Sequence, residues 1–261
     1  MPELSAVLSW LTANETYICA PIYMHGGSKL ASLGHPVVVG VKYHHLSIYR
    51  CLSATPSHRD ARCDATPTGC EEMLFTFASA SSDSNAPENV HFDIPRHMLL
   101  QLHVELATDT RKATETRNAT VYIPLRRPLG PMVRFIEIGP RRDWGGAQRR
   151  ITGSCECANQ LPSFAQYLIL HAHHRAISVC VHIASGYEMC APRDVPLNAI
   201  VRFRHENVSR LHLACYFSSP SRLGVHSVDE MCFAYVLMNA PSWPYHCWTS
   251  PREQTCRFRD R

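Results

Sequence analysis

The sequence predicts an all-β protein, and three features carry that prediction. Apolar residues recur with a period of two, the strand period. Polar turn chemistry separates the short apolar runs. Eighteen prolines are spread over 261 residues, which argues against long helices.

Taken in chain order, residues 4–11 are apolar and form the one candidate helix near the start. The run 4–13 follows Glu3 and has no basic residues before it, so it is read as part of the folded chain rather than as a secretory leader. Residues 36–51 are strand-like, and residues 55–69 form a loop rich in Pro, Ser, Asp and Arg. Residues 78–89 are a second polar loop. In 99–106, Leu100, Leu102, Val104 and Leu106 share one face, and Gln101, His103 and Glu105 share the other. Residues 108–118 are polar, 132–139 are strand-like, and 139–153 form a charged loop around Gly145-Gly146. A helical turn is expected before Phe164, followed by a strand over 164–171. In 177–184, Ile177, Val179, Val181 and Ile183 alternate with Ser178, Cys180 and His182. Val201 and Phe203 alternate with Arg202 and Arg204, and Leu211, Leu213, Cys215 and Phe217 share a face. Residues 232–238 make the last clear run. Many short strands with polar turns point to a sandwich or barrel.

Composition narrows the function. An apolar fraction of 45% sustains a core, and 18% charged residues with a net charge of +4 does not describe a dedicated nucleic-acid binder. No window reaches the length of a membrane span, so no membrane partner is expected. Arg dominates Lys, but the arginines are scattered. The pairs Arg126-Arg127, Arg141-Arg142 and Arg149-Arg150 could contact phosphate; paired arginines on loops are more often solvated surface. Twelve cysteines are present, and Cys51, Cys180, Cys215 and Cys232 lie inside apolar runs, where free cysteine behaves as a small hydrophobe. The expectation is therefore a reduced, intracellular protein that is not secreted, with unused sequons at Asn14, Asn118 and Asn207. A disulfide-linked secreted glycoprotein is the rival that the same cysteines and sequons allow. A zinc site is a further rival: Cys155 and Cys157 precede His171, His173 and His174, with Cys180 and His182 nearby. A polar strand face with buried cysteines explains that pattern more simply, and no metal is expected.

One stretch carries a family likeness. From Ser185 the chain reads SGYEMCAPRDVPLNAIVRF. Gly186, Tyr187, Met189, Ala191, Pro192 and Val195 match the first conserved motif of dUTPases, and Glu188 stands where the family has Asp. The stretch ACYFSSPSRLG at 214–224 resembles the second, phosphate-holding motif, with Ser221 and Arg222 in reversed order. MCFAYVLMNAP at 231–241 is similar to the strand that follows. NVHFDIPRHMLLQLHVEL at 89–106 resembles the uracil-recognising hairpin and the next strand, with Asp93 at the position of the catalytic Asp. FAQYLILHAHH at 164–174 looks like the strand that closes a module. The resemblance is to the herpesvirus dUTPase-related family, in which one chain holds two barrel modules.

That resemblance implies two fused dUTPase-like β-barrel or jelly-roll modules with few short helices, the first over residues 1–174 and the second over 175–261. It implies Asp93 as the base that activates water, with Mg²⁺ on the triphosphate, if the protein is a dUTP diphosphatase. It implies a nucleotide-binding remnant of Gly186, Tyr187, Glu188, Ser221 and Arg222, with Gly186 needed for close backbone approach. Several parts depart from the pattern. Arg96 stands at the deoxyribose-packing Tyr position, Met98 at the hairpin Gly, and no Gly-rich segment follows Met238. Losing several positioning elements together removes most of the rate in phosphoryl chemistry. The expectation is a catalytically inactive accessory or tegument-type protein without cofactor, a monomer that contacts host proteins in the nucleus or cytoplasm. The runner-up is an active dUTPase with a divergent site.

Overall fold

The computed structural model describes residues 3–11, 16–24, 29–51, 62–63, 70–78, 87, 89–104, 116–138, 148–156, 164–172, 175–183, 186, 188–192, 200–205, 210–221, 231–239 and 257–260. These residues are all-β, as the period-two pattern predicts, and hold no helix among them. The chain divides into two compact units, Met1–Met132 and Val133–Arg261.

In the first unit the strands are β1 (Glu3–Leu11), β2 (Thr16–Tyr23), β3 (Lys29–Leu33), β4 (Val37–Val39), β5 (Tyr43–Cys51), β6 (Arg62–Cys63), β7 (Cys70–Ala78), β8 (Phe92–Ile94), β9 (His97–Val104) and β10 (Thr116–Arg126). They form one antiparallel sheet of order β1-β10-β3-β8, with β4 also on β10, and a second of order β6-β2-β9-β5-β7. The helix expected over residues 4–11 is instead β1. Leu4, Ala6 and Leu8 are buried while Val7 is 70% exposed, and pairing with β10, Leu4 opposite Ile123, selects the strand. Gly40, at φ 98°, divides the 36–51 run; a Cβ there would lie 2.5 Å from the Asn118 carbonyl oxygen. The core between the sheets is partly aromatic. Phe75 of β7 packs edge-on against Phe77 and against Phe92 of β8, with ring centroids 4.8 and 5.6 Å apart.

In the second unit the strands are β11 (Val133–Ile138), β12 (Gln148–Glu156), β13 (Phe164–Ala172), β14 (Ala176–Ile183), β15 (Glu188–Pro192), β16 (Ile200–His205), β17 (Arg210–Ser221), β18 (Cys232–Asn239) and β19 (Arg257–Asp260). One sheet has the order β11-β18-β13-β16 and the other β15-β14-β17-β12-β19. Leu213, Val179 and Val181 are buried on one sheet, and Leu168, Ala234 and Val236 on the other.

The two units repeat one pattern. Setting β4 and β6 aside, the first, eighth, third and sixth strands of the pattern make one sheet (β1-β10-β3-β8; β11-β18-β13-β16), and the fifth, fourth, seventh and second make the other (β7-β5-β9-β2; β15-β14-β17-β12). The unit boundary therefore falls at Met132/Val133. The division expected at residue 174 lies between β13 and β14, inside the second unit, because the 164–172 strand pairs with β18 rather than closing the first unit. Among the described residues none of the four sheets closes on itself, so the sheets are open there and the expected barrels are not formed.

The cysteines correct the sequence reading. Cys19 is bonded to Cys63, Cys51 to Cys70, Cys180 to Cys190 and Cys215 to Cys232. All four cysteines expected to be free hydrophobes are thus half-cystines. Cys51 faces Cys70 directly across β5 and β7, and Cys180 faces Cys190 across β14 and β15. These are equivalent strand pairs of the two units. Cys215–Cys232 joins β17 to β18, one from each sheet of the second unit.

Candidate functional site

Asp93 sits on β8, and its surroundings are ionic. Arg50 of β5 donates from Nε to Glu72 Oε2 at 3.0 Å and from Nη2 to Asp93 Oδ2 at 3.1 Å. The same Nη2 donates to the Asp93 carbonyl oxygen at 2.9 Å. The Glu72 side chain is only 2% exposed, that of Arg50 18%, and that of Asp93 37%. A buried carboxylate needs a partner of opposite charge, and Arg50 supplies it to Glu72 while reaching Asp93 in the opposite sheet. Asp93 is therefore part of a clasp between the two sheets, and its Oδ2 is already occupied as an acceptor.

The hairpin expected around Asp93 is not formed. β8 pairs with β3, and β9 pairs with β2 and β5, so the two arms belong to different sheets. Met98, at the expected Gly position, is 2% exposed and lies between Ile22 of β2 and Arg50 of β5. Its backbone is inside a ladder on both sides, where no base could approach it. Arg96 is exposed.

The remnant residues of the second unit are not brought together. Gly186 has φ 89°, and a Cβ built there meets nothing within 4 Å. Its glycine is needed for backbone conformation, not for the close approach expected of it. Glu188 lies across β14 from His212 through His182, with Glu188 Oε1 3.5 Å from His182 Nε2. Ser221 is fully buried at the other end of β17, donating to the Ser219 carbonyl at 3.0 Å. Nine residue steps along β17 separate His212 from Ser221, up to about 30 Å. Tyr187 and Arg222 lie outside the described residues. Asp93 belongs to the first unit and the remnant residues to the second.

The expected zinc rival also disperses. Cys180 is in a disulfide, and His171 Nε2 lies 3.3 Å from Sδ of Met231, the residue before β18 of the same sheet. His173, His174 and Cys157 are outside the described residues. Although Cys180, Glu188 and Cys190 lie close together, the two sulfurs are bonded to each other, so they are not a ligand set.

A polar cluster that the sequence does not announce lies in the first unit. β9 is central in its sheet, and both of its faces are buried: Gln101 is 1% and His103 0% exposed. Tyr49 Oη donates to Gln101 Oε1 at 3.2 Å. His103 stacks on Tyr17, with centroids 4.3 Å apart and planes at 13°. His45 lies opposite His103 on β5, with ring centroids 4.8 Å apart, and the His44 ring is 5.3 Å from that of His103. Burial raises the pKa of the neighbouring Tyr43 phenol above its ordinary value.

Surface features complete the picture. On the outer face of the β1-β10-β4 ladder, Val7 and Val39 flank Thr120, and Val37 lies opposite Tyr122. Val7, Val39, Val37 and Tyr122 are 70, 55, 51 and 38% exposed. Arg126 and Arg127 are exposed, and the Arg150 guanidinium lies over the Tyr216 ring at 5.3 Å. Among the described residues no helix is long and apolar enough to cross a membrane. No protein-family model matches the chain, and no curated protein matches it.

Proposed function

We propose that the chain is a dUTPase-related accessory or tegument-type protein that hydrolyses no nucleotide and acts as a monomer by contacting host proteins. The observation that carries the loss of activity is the commitment of Asp93 to Arg50. A general base must be aimed at the attacking water, and Arg50 holds this carboxylate by Oδ2 in a clasp between sheets instead. Met98 inside a ladder and the separation of Glu188 from Ser221 support the same reading.

Two further observations support the rest. In the eight-strand pattern shared by the units the first four strands and the last three pass in turn from one sheet to the other, giving two layers of four pattern strands. That connectivity is the kind a jelly roll has, and its repetition supports two fused jelly-roll modules. The outer faces of paired sheets are ordinarily polar, so the contiguous Val7, Val37, Val39 and Tyr122 patch supports a surface for a protein partner.

The disulfides favour a second reading of where the protein acts. Disulfides persist in oxidising compartments, and four of them support an extracellular, disulfide-linked binding protein over a nuclear, cytoplasmic or tegument one. Intact mass of protein taken from producing cells, with and without reductant, separates the two settings.

Function is tested by calorimetric titration of the folded chain with a non-hydrolysable dUTP analogue and Mg²⁺, alongside an assay of pyrophosphate release. The expected result is no binding heat, no release, and no change on Asp93→Asn. Micromolar binding, with release that Asp93→Asn abolishes, would establish the hydrolase instead.

A further inference from the structure

We propose that His44, His45 and His103 form a binding site for one late first-row divalent metal ion, of the Zn²⁺ or Cu²⁺ class. One ring nitrogen of each histidine lies within 4.8 Å of those of the other two. Neutral imidazole is a preferred ligand of these ions, and three histidines with an open fourth position make a recurrent site.

The local backbone explains how consecutive residues can face one metal. In a regular strand His44 and His45 would point to opposite faces. Here β5 carries an irregularity: Tyr43 is opposite Val104, but His45 is opposite His103. His44 is the extra residue of a bulge, which re-aims a side chain. The ring contacts agree, since His44 lies 5.4 Å from His45 and 5.3 Å from His103, centroid to centroid.

Rigidity and access are divided usefully among the three. His103 is fully buried and stacked on Tyr17, so its ring is held before any metal arrives. His44 and His45 are only partly buried. Tetrahedral coordination at about 2.0–2.1 Å brings ligand nitrogens to roughly 3.3 Å from one another. Small side-chain rotations of His44 and His45 toward His103 close that gap. The fourth position is left to water or to a donor atom of a bound partner. Anchorage of β5 by Cys51–Cys70 and of β2 by Cys19–Cys63 limits how far the strands that carry this cluster can shift.

The test uses the full, disulfide-intact chain, stripped with a chelator and titrated separately with Zn²⁺, Cu²⁺ and Co²⁺. One tight equivalent is expected, with Co²⁺ giving the visible bands of a low-coordinate nitrogen site. His44→Gln and His45→Gln should each weaken binding at least about tenfold, since even outer-sphere changes cost about 10–100-fold. Both sites are partly exposed, so a thermal melt should find these variants folded. His35→Gln, an exposed control, should bind as the parent does. Absence of a tight equivalent, or its retention in His44→Gln/His45→Gln, would overturn the site. Neither result depends on whether the protein hydrolyses nucleotide.

Discussion

Arg50→Met is expected to lower the unfolding free energy by about 3–5 kcal/mol, the range for leaving a buried charge without its partner. The reason is Glu72, whose side chain is 2% exposed and accepts from Arg50 Nε at 3.0 Å. Methionine fills the space but brings no charge, so the buried carboxylate loses its Arg50 ion pair. Glu72→Gln should cost less, because Arg50 keeps Asp93 and reaches solvent more readily. Asp93→Asn should cost about 1 kcal/mol or less, as partly exposed pairs do. Urea unfolding of the three variants measures the order. Equal losses for Arg50→Met and Asp93→Asn would mean that the clasp is not organised around Glu72.

The second large effect is expected on removing disulfides. Closing a loop restricts the unfolded chain, and the chain-entropy account gives about 4 kcal/mol for a loop like that of Cys19–Cys63 and about 3 kcal/mol for one like that of Cys215–Cys232. Their sequence separations are 44 and 17. Paired alanine substitutions at each bridge, followed by thermal melts, measure these terms. For Cys215–Cys232 the loss should appear in the second unit, because that bond ties its two sheets. With all bridges reduced, neither unit should melt cooperatively near physiological temperature. A reduced protein with an unchanged melt would show that packing alone holds the sheets.

Much of the fold was legible in period-two patterning, because alternation survives wherever one strand face is buried. The runs that became β14, β17 and β18 lie close to their expected bounds. The first strand was not legible as such: Leu4, Leu8 and Leu11 suit a helix as well as Leu4, Ala6 and Leu8 suit a strand, and only β10 decides between them. Cysteine pairing was illegible for a related reason. Cys51 and Cys180 look like buried hydrophobes within their own strands, and their partners are set by register across a ladder. The acid at Asp93 could be singled out, but Arg50 and Glu72, which fix its role, are remote in sequence. His44-His45 carried no signal, since adjacency implies opposite faces until a bulge intervenes.

The pairing of β1 with β10 also governs the order in which this protein can be made. Glu3 lies opposite Pro124, and Leu11 opposite Thr116. β1 thus waits for β10, the last strand of its unit, before it has a neighbour in its ladder, and β11 waits likewise for β18. Such non-local closure slows folding and prolongs the exposure of apolar strands. Synthesis of the two units therefore includes two successive waits, each ended by one late strand, and a nascent chain interrupted before residue 116 leaves β1 without its ladder partner.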